Sequence, residues 1–90
     1  MSEASPMPLD QAKVQQAVLE SISQEMDLPP FEIQLTDTVT TLNMDELNVV
    51  EVILTVEEVL DIAVPDEGLK VGMTLKQFIE HIHKNGKPRS

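Results

Sequence analysis

Ninety residues, 41% of them apolar, are enough for one domain around one core and too few for two. The chain has no cysteine, which excludes disulfides, thiolate catalysis and Cys-ligated zinc. Six bases against sixteen acids give a net charge of −10, and such a body repels phosphate backbones and anionic membranes while steering toward basic protein surfaces.

The charge is unevenly spread. Between Lys13 and Lys70 there is no base, yet that interval holds thirteen acids. Lys70, Lys76, Lys84, Lys87 and Arg89 crowd the C-terminal end. Neither nucleic-acid binding nor membrane insertion is expected of this pattern. Residues 1–8 combine small residues and two prolines, predicting a flexible lead-in. They lack the basic start and apolar stretch of a signal peptide. A soluble, cytoplasmic protein is expected.

Asp10 is placed to cap a helix running to about Met26, with Val14, Val18, Ile22 and Met26 at every fourth position. Ala17 and Ser21 widen that stripe, and Asp27, Pro29 and Pro30 end it. Residues 28–44 then form a long connection. Connections of this length are uncommon in compact domains unless they are functional or docked. Phe31, Ile33, Leu35, Val39, Leu42 and Met44 predict that it lies on the core. The alternation Phe31-Ile33-Leu35 has no evident partner strand, so a packed loop with a short helical turn is expected. Asp45 is a good N-cap for a second helix ending near Leu60. Asp61 to Pro65 reads as an extended exit, because proline disfavours helix at the residue before it. Asp66 to Lys70 reads as one short helical turn. Thr74 and Gln77 match a capping box opening a last helix with Leu75, Phe78, Ile79 and Ile82 on one face. The domain is expected over residues 9–84, with a flexible basic tail over 85–90.

Projected at about 100° per residue, the second helix has two apolar sectors. Val49, Val52, Ile53, Val56 and Leu60 form a core face. Leu47, Val50 and Leu54 lie roughly opposite, among Glu51, Glu57 and Glu58. A helix that packs one stripe on a core needs no second one. An apolar row bordered by carboxylates has the layout of a docking surface.

At these residues the sequence resembles the acyl carrier protein family. The run from Asp45 to Asp61 is similar to the family's Asp-Ser-Leu helix, and Ile62-Ala63-Val64-Pro65-Asp66 to its exit. Thr36-Asp37 and Leu42 to Met44 resemble the loop leading into the attachment site, and Met73-Thr74-Leu75 the step into the final helix. The likeness spans about residues 10–83. It implies an all-α, acyl-carrier-protein-like four-helix bundle, with three main helices, one short helix and a long first loop.

The departure lies at the centre. Where the family carries the serine that receives 4′-phosphopantetheine, this chain has Glu46, so the cofactor is expected to be absent. The resemblance implies a partner-docking surface of Asp45, Glu46, Leu47, Val50, Glu51, Leu54, Glu57, Glu58 and Asp66, facing a protein with a basic surface. A monomeric, non-enzymatic interaction module is expected. Two other readings stand beside it: a carrier of fatty-acid or polyketide biosynthesis with a natural or engineered Ser→Glu change, and an acidic inhibitor or mimic binding a basic enzyme.

No metal site is expected, because Asp61, Asp66 and Glu67 lack Ca²⁺-loop spacing. His81 and His83 stand about 200° apart on a helix and read as ordinary surface residues rather than paired ligands. Glu57 and Glu58 read as a solvated face, not a catalytic pair.

Overall fold

The computed structural model describes residues 10–65 and 72–88. Three α-helices organise them: α1 (Gln11–Met26), α2 (Glu46–Leu60) and α3 (Leu75–Asn85). A 3-10 turn, Pro30–Glu32, follows α1. Two-residue strands β1 (Ile62–Ala63) and β2 (Lys87–Pro88) follow α2 and α3. The fold is all-α, with three main helices and a long first connection as expected. The expected fourth, short helical turn at Asp66 to Lys70 lies outside the described residues.

Each helix starts where a side chain satisfies its orphan amides. The Asp10 carboxylate accepts from the Ala12 N–H at 3.0 Å. Asp45 and Asn48 form a reciprocal capping box on α2, as Thr74 and Gln77 do on α3. In α3 the two amides between the box residues are also taken. Leu75 N–H donates to the Asp37 carbonyl at 2.8 Å and Lys76 N–H to the Leu35 carbonyl at 3.0 Å. The long connection is thus fastened to α3 by backbone hydrogen bonds, with Thr38 and Thr74 forming an isolated antiparallel bridge.

Both α1 and α2 end on an aspartate in the left-handed region, Asp27 and Asp61, each with φ 54°. Such C-caps are more often glycine. The amides of Asp27 and Leu28 return to the Ser23 carbonyl, closing α1.

The core draws on all three helices, the long connection and the exit from α2. Val14, Val18 and Ile22 of α1 meet Val52 and Val56 of α2, and Leu75, Phe78, Ile79 and Ile82 of α3. Ile33, Leu42 and Met44 of the connection and Ile62 and Val64 of the exit complete it. Burying each such side chain fully contributes about 1.5–3 kcal/mol.

Two expectations need correction. Phe31 does not lie on the core: it is 79% exposed, while Ile33, Leu42 and Met44 are buried and Leu35 and Val39 pack partly against them. The 3-10 turn that starts at Pro30 directs Phe31 outward, so one apolar residue of the alternation is left in water. The tail also begins later than residue 85. Asn85 closes α3, and Lys87–Pro88 pairs antiparallel with Ile62–Ala63, holding the end of α3 against the exit from α2.

Candidate functional site

The two apolar sectors of α2 separate in space as their angular positions predict. Val52, Ile53 and Val56 are buried, and Val49 and Leu60 pack partly against the core. On the other side Leu47 is 67% exposed, and Val50 and Leu54 are each 50% exposed. Val59 is 65% exposed as well. It belongs to neither predicted sector: projection puts it beside Val52, on the far side of the helix from Leu54.

The carboxylates around this face are not equivalent. Asp45 Oδ1 accepts from the Asn48 N–H at 2.8 Å, and Asn48 Oδ1 accepts from the Asp45 N–H at 3.0 Å. Asn48 Nδ2 then donates to Glu25 Oε2 at 2.9 Å, tying the head of α2 to the last turns of α1. Glu57 Oε2 accepts from the Val64 N–H at 2.7 Å and is half-buried. Glu57 is therefore not part of a solvated pair with Glu58, because its carboxylate is bound to the exit segment. Glu46, Glu51 and Glu58 are exposed, and their carboxylates make no hydrogen bond or ion pair among the described residues. Asp66 lies outside the described residues.

Reasoning from the sequence missed Asn48 and its link to Glu25. The spacing Asp45-x-x-Asn48 is the available signal, since it places an amide three residues past an N-cap. It gives no hint of Glu25, which stands twenty-three residues earlier.

His81 is not an ordinary surface residue. His81 is half-buried with Nε2 3.3 Å from the Pro65 carbonyl, while the Asn85 Nδ2 lies 3.3 Å from its Nδ1. This ring fastens α3 to the exit segment, which a purely surface histidine would not do. Among the described residues no group of three His, Asp or Glu side chains is arranged to hold a metal ion. No helix among them is long and apolar enough to cross a membrane.

Comparison with known proteins gives a relative in sequence. Over 74 residues the chain is 30% identical to a protein named acyl carrier protein from Amoebophilus asiaticus (strain 5a2), covering 81% of this chain and 92% of the relative. The chain belongs to the acyl carrier protein family. No family model matches it, and no solved structure does. In this carrier-family chain the head of α2, with Asp45, Glu46 and Leu47 in succession, is an exposed helix start joined to α1 through Asn48.

Proposed function

We propose that this chain is a non-enzymatic interaction module built on the carrier fold, and that it takes no 4′-phosphopantetheine arm. The observation that supports this reading is the residue at the first position of α2, Glu46, where the family resemblance places the attachment serine. Attachment requires a hydroxyl that attacks the pyrophosphate of coenzyme A and leaves a stable phosphodiester. A carboxylate in that role would give a mixed anhydride, which water cleaves readily.

No serine stands at the head of α2, and Thr40 and Thr41 lie upstream in the connection. Thr41 Oγ1 is closed into the loop, donating toward Asp37 Oδ1 and the Thr38 carbonyl and accepting from the Thr38 N–H. Ser21 and Ser23 lie on α1, and the Ser23 hydroxyl donates to the Leu28 carbonyl. The module's ligand is a protein with a basic surface, engaging Leu47, Val50 and Leu54 within their acidic border. Glu46 supplies fixed negative charge at the head of that face.

The test is intact mass after incubation with coenzyme A and a phosphopantetheinyl transferase. No addition is expected on the parent, and a phosphopantetheine-sized addition is expected on Glu46→Ser. Addition to the parent overturns the reading.

A further inference from the structure

Resting on that docking reading, we infer that Glu57 is a positioning residue rather than a partner contact. A partner then reads α2 from one border, through Glu51 and Glu58, with Glu46 at its head.

Val64 is buried, and its amide lies just past the short β1–β2 pairing, where the ladder supplies no acceptor. Glu57 Oε2 fills that gap at 2.7 Å. A hydrogen bond to an ionised acceptor is among the stronger kinds, and a buried amide stripped of its acceptor is costly. Turning Glu57 outward to a partner would incur that cost. Asp45 is held in the same way by the capping box.

The free carboxylates are then arranged unsymmetrically. Glu51 and Glu58 are two turns apart on the same border of the Leu47–Val50–Leu54 row, separated by about 10 Å along the helix axis. The opposite border, where Glu57 stands, keeps only Glu46, near the N-terminal end. Charge complementarity therefore selects a protein surface with an apolar ridge and two cations about 10 Å apart along one side. A clamp with bases on both sides would set one base against a half-buried carboxylate whose Oε2 is already committed to Val64.

The experiment uses the full chain and a synthetic amphipathic peptide of leucine and lysine as probe. Backbone-amide NMR follows binding, and hydrogen exchange follows the Val64 amide. The peptide is expected to perturb the amides of α2. Glu51→Gln and Glu58→Gln should each weaken it about two- to fivefold, as rim charges do, and leave Val64 exchange unchanged. Glu57→Ala should accelerate Val64 exchange and leave peptide affinity at the parent value. Glu57→Gln, which keeps an acceptor oxygen but no charge, should restore much of the protection without changing affinity. The inference is overturned if Glu57→Gln weakens the peptide as much as Glu51→Gln does, if Glu57→Ala leaves Val64 exchange as in the parent, or if the perturbed amides lie away from α2. The mass measurement above decides the absence of the arm separately, so the two failures are distinguishable.

Discussion

Helices α2 and α3 begin alike, each with a capping box, and are used differently. In α3 the large apolar residues Leu75, Phe78, Ile79 and Ile82 are all buried. In α2 Val52, Ile53 and Val56 are buried, while Leu47, Val50, Leu54 and Val59 stand at least half exposed. The core accounts for the composition of α3. It accounts for only part of α2, whose second apolar row is left in solvent, where the proposed docking would use it.

That difference can be tested through stability. The largest effect is expected from Ile82→Ala, since Ile82 has no exposure and truncation leaves a cavity. A loss of about 2–5 kcal/mol should appear in urea-unfolding midpoints. A smaller loss, about 1 kcal/mol, is expected from Asp45→Ala, which removes one half of the α2 capping box. The smallest belongs to Leu54→Ala, which should stay within about 0.5 kcal/mol of the parent. If Leu54→Ala costs as much as Ile82→Ala, the contrast between the two helices is broken. If it leaves stability unchanged but weakens peptide binding, the contrast is sharpened.

The helix boundaries were legible because their signals are local. Asp10, Asp45 and Thr74 cap as their types and positions predict, and the stripes Val14-Val18-Ile22 and Leu75-Phe78-Ile79-Ile82 bury as their spacing requires. The two faces of α2 were legible for the same reason. Partners chosen by tertiary placement were not. Nothing around Glu57 indicates that its carboxylate will cap the Val64 amide, because that depends on how the chain turns after Asp61. Pairing of Lys87–Pro88 with Ile62–Ala63 is invisible for a similar reason, since two-residue strands carry no usable period. Phe31 departs from its expected place because apolar character alone does not decide burial, and the turn beginning at Pro30 faces it outward.

The aspartates that close α1 and α2 have a consequence for how the molecule answers to its buffer. Asp27 and Asp61 set a carboxylate at the negative pole of each helix, in a chain already strongly self-repelling. Dissolved ions screen both effects, so the fold should tighten as ionic strength rises, while the docking to a cationic surface proposed above should loosen under the same screening. A salt titration is thus expected to move melting and release of a proposed basic partner in opposite directions, so that undocking is observed free of unfolding.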